Sequence, residues 1–351
     1  MTVGHPMSSW GVGPRRPVRI AVSGSIATDH LMVFPGRFTE QLLSERLNRI
    51  SLSFLADRLD VRQGGVAANI AFGLGRLGLR PVLIGAAGAD FADHARRLTA
   101  SGVDMGSVRI SESLHTARFV CTTDLDQNQI ATFYAGAMAE ASLIDLGEVQ
   151  TRTGGLDLLL VGADTPSAML RHTATAHRLG IAVAADPSQQ LARLTPRQTR
   201  DLVAGASLLF TNEYESALLL RRTGWSQEEV LARVGAWLVT RGTDGVLVHT
   251  ADGTRTAIPA VPARTVVDPT GVGDAFRAGF LAGWCHGLSY ERASQLGCAL
   301  ATTVLGSVGS QEYGFVWSEL LASIDKAYGR SAAAEIADSL GEEAKTDTDR
   351  V

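Results

Sequence analysis

Nine consecutive residues, Asp268 to Phe276, combine the backbone and the side chain that phosphoryl transfer requires. Gly271 and Gly273 are spaced by one residue, which allows a tight turn whose N–H groups point the same way. A helix is predicted to begin near Gly273, and its unpaired N–H groups and positive dipole end attract phosphate. The predicted anion hole consists of Gly271, Val272 and Gly273. Because this chemistry depends mainly on positioning and charge neutralisation, the adjacent Asp274 can serve as the base that accepts a hydroxyl proton.

Apolar strands that alternate with stretches of helical length surround this segment and predict an α/β fold. Runs that are apolar throughout are typical of strands buried on both faces, which indicates a mostly parallel sheet between two helical layers. The pair Gly64-Gly65 opens an Ala-rich helix predicted over 66–77. Strands are predicted at 19–22, 81–85, 158–162, 181–185, 207–211 and 236–240.

Two stretches, about 30–63 and 111–138, stand outside this alternation and are predicted to form a small β-sheet lid. Within the second, two β-prone runs on either side of a polar turn predict a hairpin. Phe119 and Phe133 are symmetric about Asp126, so a regular hairpin places them opposite each other on one face. Such a pair of rings can sandwich a flat base, although either ring alone is equally well explained as packing the lid onto the main sheet.

Composition excludes several other classes of protein. The chain has 351 residues, of which 19% are charged, and a net charge of −4, so no basic excess indicates nucleic-acid binding. No apolar run reaches membrane-spanning length. The three cysteines form no CxxC pair, so neither a disulfide scaffold nor a zinc site is expected, and a reducing cytoplasm fits best. The predicted organisation is a disordered tail (1–17), one domain (18–330), and a C-terminal helix and charged tail (331–351).

The segment 268–276 resembles the C-terminal signature of the ribokinase-like carbohydrate and nucleoside kinases, Asp-Thr-x-Gly-Ala-Gly-Asp, with Pro269 and Val272 as substitutions. The resemblance covers residues 18–330 and implies a ribokinase-like three-layer sandwich with a mostly parallel sheet, helices on both faces and a small β-sheet lid. Further motifs follow the family's order: Gly64-Gly65 with Asn69, residues 85–90, Asn212-x-x-Glu215, and residues 240–245.

The resemblance also implies how the phosphate donor is held. Gly64-Gly65 becomes a hinge that closes the lid, and Glu215 acts on Mg²⁺ through water, because magnesium usually keeps several waters. A potassium ion is expected near Asp268 and Thr270. Without the resemblance, Gly64-Gly65 is an ordinary helix start and Glu215 a solvated acid on a helix. The residues implied to contact ATP are Asn212, Thr240, Gly242, Gly245 and Gly273.

The acceptor is indicated by residues where the chain departs from the sugar-kinase pattern. Sugar-phosphorylating relatives often read Asp-x-Asn-x-Arg after the strand predicted here at 181–185, whereas residues 186–190 lack that Asn and Arg. By residue type, Asp29 can accept hydrogen bonds from two ribose hydroxyls, although an isolated Asp there is better explained as a cap. Stretches that closely resemble the family's bacterial adenosine kinases are 23–32, 34–38, 115–119, 185–194 and 268–280.

That resemblance implies transfer of the γ-phosphoryl group of ATP to the 5′-hydroxyl of adenosine, a purine-salvage reaction. It also implies a homodimer joined through its lids, in which Ser53 reaches the partner subunit's site. The implied nucleoside site consists of Ser25, Asp29, Gly64, Gly65, Asn69, Phe119, Phe133 and Asp274.

Three alternatives remain open at this point. A kinase of ribose, fructose, inosine or guanosine would share the fold, because similar folds host many acceptors. A catalytically inactive binding protein of the same family is opposed by the presence of Asp274 and of the glycine turn before it. A dinucleotide-dependent oxidoreductase is opposed by the absence of a GxGxxG motif after the first strand.

Overall fold

The computed structural model describes residues 18–41 and 51–344. The predicted tail at 1–17, part of the first lid segment (42–50) and the last residues (345–351) lie outside the described residues. The strands within the described part are β1 (Ile20–Ser23), β2 (Ala27–Val33), β3 (Arg58–Gly64), β4 (Val82–Ala87), β5 (Val108–Ile110), β6 (Ala117–Thr123), β7 (Gln129–Tyr134), β8 (Leu158–Val161), β9 (Ala182–Ala185), β10 (Leu208–Asn212), β11 (Ala236–Thr240), β12 (Val246–Thr250) and β13 (Arg255–Ile258). The helices are α1 (Phe38–Gln41), α2 (Val66–Arg76), α3 (Ala92–Ala100), α4 (Leu146–Thr153), α5 (Pro166–Leu179), α6 (Pro196–Val203), α7 (Glu213–Thr223), α8 (Gln227–Leu231), α9 (Val272–Cys285), α10 (Tyr290–Leu305), α11 (Trp317–Tyr328) and α12 (Arg330–Ala344).

A nine-stranded sheet in the order β13-β12-β11-β10-β9-β8-β1-β4-β5 forms the centre of the main body. Its strands are parallel except at one edge, where β12 and β13 are antiparallel to their neighbours. This confirms the predicted fold class, a mostly parallel sheet in an α/β sandwich with a separate smaller sheet. The sequence analysis did not identify β5, β12 or β13, which lie at the two edges of the sheet.

Burial on both faces explains why the central strands are apolar throughout. In β8, Leu158 and Leu160 pack into one side of the core, and Leu159 and Val161 pack into the other. Side chains of α2, α3 and α9–α12 cover the first side, whereas side chains of α4–α8 cover the second. The parallel strands of the sheet thereby all end on the same side of the main body, and ligands of open α/β sheets usually bind just outside these carboxyl ends.

The second sheet has four strands in the order β3-β2-β6-β7, and we call it the lid. β6 and β7 form the predicted hairpin, and Phe119 is paired directly with Phe133, as their symmetry about Asp126 predicts. Three lid-side rings, Phe34, Phe38 and Phe54, pack together with centroids 4.8–5.7 Å apart and attach the segment before β3 to this sheet.

The C-terminal helix α12 belongs to the main body. Its Ala332, Ile336 and Leu340 are buried in the same core cluster as α9 and α10. The described helical residues beyond 330, which the sequence analysis separated from the domain, therefore help to cover one face of the sheet. Among the described residues, no helix combines the length and the apolar character needed to cross a bilayer.

Candidate active site

The amino-terminal end of α9 is formed by a glycine that no other residue could replace. Gly271 caps the helix in the left-handed region, with φ of 78°. A Cβ atom at this position would lie 2.4 Å from the Cβ of Ser310, far inside van der Waals contact. Val272 and Gly273 then begin the helix, so the first-turn N–H groups of α9 have no carbonyl partner within the helix. The predicted anion hole is thus a helix start fixed by close packing against residue 310.

A cavity of about 200 Å³ opens in front of this helix end. It brings together residues at or just beyond the carboxyl ends of β9, β10 and β11 with residues in the first two turns of α9. Six of the eight lining residues were predicted from the sequence, and Ser188 and Arg277 were not. The lining residues are Ser188, Asn212, Glu215, Thr240, Gly271, Gly273, Asp274 and Arg277.

Asp274 is half-buried in the first turn of α9 and accepts a hydrogen bond from the side-chain amide of Asn69 at 2.8 Å. Burial raises the pKa of Asp274 to about 7, and the carboxylates of Asp186 and Asp29 act in the same direction. The hydrogen bond from Asn69 and the charge of Arg277 lower this pKa and so partly offset the burial. A carboxylate with a pKa near neutrality is well matched to general-base catalysis.

Arg277 and Asp186 form a buried ion pair beside the cavity. The Nη2 atom of Arg277 donates to one oxygen of Asp186 at 2.7 Å, and its Nε atom lies 2.5 Å from the other oxygen. Its Nη1 atom donates to the carbonyl of Gly273 at 3.0 Å, so the guanidinium ties the first turn of α9 to the end of β9. The sequence carried one signal of this pair, which is a single cation in a largely apolar helix whose one other charged residue is Asp274.

The Asn212-x-x-Glu215 motif folds as a capping box at the start of α7. The side chain of Asn212 accepts from the backbone N–H of Glu215 at 2.8 Å, and Glu215 accepts in return from the N–H of Asn212 at 2.8 Å. Burial raises the pKa of Glu215. Thr240 lies beside Asn212 at the end of the neighbouring strand. Glu215 is thus a fixed carboxylate facing the cavity, an arrangement that fits a water-mediated contact to magnesium.

The inner face of the lid carries a row of four paired residues. Arg62, Asp29, Phe119 and Phe133 follow one another across β3, β2, β6 and β7, and paired residues share one face of a sheet. Burial, and next the charge of Asp268, raises the pKa of Asp29 to about 6. In the part of the chain that the structure describes, the Asp29 carboxylate has no hydrogen-bond partner. The row therefore offers one free carboxylate beside two rings. The sequence did not predict Arg62 as part of it.

The junction between the lid and α2 depends on Gly64 and Gly65. A Cβ atom at Gly64 would lie 2.9 Å from an oxygen of Asp29, and one at Gly65 would lie 2.5 Å from the carbonyl oxygen of Ser25. Gly65 also has φ of 98°, which side chains rarely adopt. The hydroxyl of Ser25 accepts from the N–H of Val66 at 3.0 Å, so Ser25 caps α2 in addition to any contact with a ligand.

The remaining predicted residues lie outside the cavity lining. Asp268 accepts hydrogen bonds from the N–H groups of Thr270 at 2.8 Å and Gly309 at 3.0 Å, and potassium binding there stays a prediction. Gly245 is needed for packing, since a Cβ atom would lie 2.1 Å from the carbonyl oxygen of Ile258. Gly242 begins a short 3₁₀ turn before it. Ser53 is exposed in the irregular segment before β3.

Kinases of one family resemble this chain in sequence and in structure. A family model, pfkB family carbohydrate kinase, matches residues 26–315. A nucleoside kinase of Methanocaldococcus jannaschii is 28% identical over 265 residues, which cover 75% of this chain and 85% of that protein. An ATP-dependent ribose-1-phosphate kinase of Halopiger xanaduensis is 34% identical over 255 residues, covering 71% and 82%. The solved structure of Burkholderia thailandensis nucleoside kinase with inosine superposes with a TM-score of 0.78 at 35% identity, covering 89% of this chain and 98% of that one.

Proposed function

The chain belongs to the pfkB family of carbohydrate kinases, and on that premise we propose that it transfers the γ-phosphoryl group of ATP to the 5′-hydroxyl of a nucleoside. Adenosine is the proposed acceptor, and AMP and ADP are the products. The observation that carries the proposal is the row on the inner face of the lid. Asp29 supplies a free carboxylate for ribose hydroxyls, and Phe119 and Phe133 supply two rings for a base.

In the proposed reaction, Asp274 accepts the proton of the 5′-hydroxyl as that oxygen attacks the γ-phosphorus. The N–H groups at the start of α9 donate to the oxygens of the transferring phosphoryl group, where charge must be neutralised. Arg277 adds a fixed positive charge at the cavity and holds the carbonyl of Gly273 in place. Magnesium, held by the ATP phosphates and through water by Glu215, would supply the remaining charge neutralisation.

Two purine nucleosides compete as the acceptor. The resemblance of residues 23–32 and 185–194 to the bacterial adenosine kinases favours adenosine. The Burkholderia kinase that superposes on this chain was solved with inosine, which favours inosine as the second candidate. Both nucleosides present the same ribose to Asp29 and a purine ring to Phe119 and Phe133.

A panel of acceptors tests this proposal directly. Purified protein is incubated with Mg-ATP, with or without potassium, and with adenosine, inosine, guanosine, cytidine, ribose, ribose 1-phosphate or fructose. We expect a kcat/KM for adenosine at least about tenfold above every sugar, with the 5′-monophosphate identified by chromatography, and no turnover of 5′-deoxyadenosine. A higher kcat/KM for inosine would reassign the acceptor, and preference for a sugar would overturn the nucleoside proposal.

The outer face of the lid supports a homodimer as part of the proposal. Leu59, Val61, Ile130 and Tyr134 are all exposed and lie on the face opposite to Asp29 and the two rings. An apolar sheet face of this kind is usually covered, and a second copy of the lid offers the same apolar surface. The exposed Ser53 would then approach the partner subunit's site.

Sedimentation of the pure protein together with activity across a dilution series tests the dimer. We expect a dimer whose activity per chain falls on dilution, and we expect Val61→Asp to sediment as a monomer with weakened use of adenosine. Wild-type protein that is monomeric and fully active would contradict the dimer.

A further inference from the structure

The side chain of Asn69 is almost fully occupied by partners inside the protein. Its Oδ1 atom accepts from the hydroxyl of Ser310 at 2.9 Å and from the Nε2 atom of Gln311 at 2.8 Å. Its Nδ2 atom donates to Asp274 at 2.8 Å. A primary amide has one oxygen with two lone pairs and two N–H groups. The oxygen of Asn69 is therefore saturated, and one N–H remains for a ligand.

The chain of hydrogen bonds continues from Gln311 to a histidine in the core. The Oε1 atom of Gln311 lies 2.9 Å from the Nε2 atom of His94, and both residues are only 2% exposed. Because Gln311 already donates through Nε2, its oxygen must receive a proton from His94. The ring of His94 therefore carries its proton on Nε2. Its Nδ1 atom is buried and has no hydrogen-bond partner in the described part of the chain.

The same four side chains could satisfy one another with every donor reversed. In that arrangement a protonated Asp274 would donate to Asn69, Asn69 would donate to Gln311, and Gln311 would donate to His94. The proton of His94 would then lie on Nδ1, where no acceptor exists. Buried N–H groups without a partner are rarer in folded proteins than buried acceptors without one. His94 therefore favours the direction in which every donor points toward Asp274.

We propose that Gln311 and His94 are positioning residues that fix the amide of Asn69 so that it donates to Asp274 and keeps that carboxylate ionised. The inference rests on the proposed role of Asp274 as the base that accepts the hydroxyl proton. His94 and Gln311 do not touch the substrate, and they act through Asn69. The loop that carries Ser310 and Gln311 thereby favours the ionised form of a residue on α9.

Other charges also act on Asp274, and they are the same in every variant compared below. Arg277 on α9 favours its ionised form, whereas Asp186 after β9 and Asp29 on the lid oppose it. Glu215 on α7 lines the same cavity, and the buried hydroxyl of Tyr313 lies close enough to sense the charge of Asp274. Because none of these groups changes, a difference between variants reports the contribution of Asn69.

The test is the pH dependence of kcat for Gln311→Met, which introduces no charge. A thioether at this position has no N–H for the oxygen of Asn69, so the amide of Asn69 is no longer held with its N–H toward Asp274. Loss of one hydrogen bond to a charged group should move the acidic limb of kcat upward by about one pH unit. At pH values above the acidic limbs of both the wild type and the variant, the kcat of the variant should return to within about twofold of wild type.

Two further variants keep the test decisive. Ser310→Ala removes the other donor to Asn69 with the loss of a single oxygen, and it should shift the limb in the same direction by a smaller amount. Gln295→Met makes the same change at another buried glutamine, which bonds to Arg292 and Glu291 outside this chain of residues, and it should leave the limb in place.

The outcomes separate this inference from the proposed function. If Asp274→Asn keeps near-normal kcat, the proposed role of Asp274 is wrong. If Asp274→Asn is inactive while Gln311→Met and Ser310→Ala keep the wild-type limb, or lose kcat equally at every pH, the positioning role alone is wrong.

Discussion

Arg277, beside the cavity at the start of α9, is 6% exposed, whereas Phe133, on the inner face of the lid, is 50% exposed. The guanidinium of Arg277 makes two hydrogen bonds and an ion pair within the protein. On the lid, the carboxylate of Asp29 has no hydrogen-bond partner among the described residues. The ion pair of Arg277 and Asp186 is thus complete without a ligand, whereas the lid presents groups that a ligand would have to satisfy.

This difference teaches how the two tasks of the site are divided. Phosphoryl transfer needs charges and donors held at fixed positions, and in the proposed reaction a buried network on the main sheet would supply them. Recognition of an acceptor needs groups that are satisfied only by the right ligand, and the half-exposed lid would supply those. Mutations in the first region should therefore affect folding and chemistry, whereas mutations in the second should affect binding and selectivity.

The largest effect is expected from breaking the buried pair. Arg277→Met leaves the buried carboxylate of Asp186 without its partner and should lower the free energy of unfolding by about 3–5 kcal/mol. Urea denaturation measures this loss. The double variant Arg277→Met, Asp186→Leu removes both charges and should recover most of the stability while activity stays low. If the free energy of unfolding of Arg277→Met lies within about 1 kcal/mol of the wild-type value, the division between the two regions is contradicted.

Removal of the base should affect chemistry and spare binding. Asp274→Asn should lower kcat at least about a hundredfold, the scale expected for loss of a positioned base. Calorimetry should show adenosine binding within about twofold of wild type. In wild-type protein, kcat should rise with pH through about 7, because burial raises the pKa of Asp274 and its ionised form accepts the proton. Retained turnover in a folded variant would remove Asp274 from this role.

On the lid, Asp29 should control selectivity for the ribose hydroxyls. Wild-type protein should lose roughly tenfold to a hundredfold in kcat/KM with 2′- or 3′-deoxyadenosine, since one hydrogen bond to a charged group is lost. Asp29→Ala should have a low kcat/KM with all three nucleosides and should no longer discriminate among them. Equal use of the three nucleosides by wild-type protein would show that Asp29 does not contact the ribose.

The smallest effect is expected at the exposed ring. Phe133→Ala should weaken adenosine binding about tenfold through lost stacking, and it should leave ATP binding unchanged. Thr132→Ala is the control, because Thr132 is the preceding residue of the same strand and lies on the outer face without belonging to the proposed dimer surface. Equal loss of adenosine and ATP affinity in Phe133→Ala would mean that the ring only supports the structure of the lid.

Local patterns predicted the parts of the site that are local in the chain. The spacing of Gly271, Gly273 and Asp274 predicted the helix start, and the symmetry of Phe119 and Phe133 predicted their register in the lid. The partners of these residues come from distant segments. Gln311 bonds to Asn69 across 242 positions. No periodicity or turn signal encodes such a contact, so it is visible only after the chain has folded.

The edges of the main sheet were missed for a related reason. β5 and β13 are partly exposed, so they lack the continuous apolar run that identified the equally short central strands. β12 and β13 also form an antiparallel hairpin, which departs from the βα alternation that identified the central strands. The layered fold could be predicted from the sequence because its central strands are buried on both faces.

The pairing of β2 with β6 has a consequence for how the chain reaches its folded state. These two strands are parallel neighbours in the lid, and β3, α2, β4, α3 and β5 all lie between them in the chain. The entropy of closing so long a loop must be offset before the pair gains any hydrogen bonds. We therefore expect β6 and β7 to join the lid only after β1 and β4 have assembled, so that the proposed acceptor-binding surface forms after this part of the main sheet. In pulsed hydrogen exchange during refolding, the amides of β6 should gain protection after those of β1 and β4.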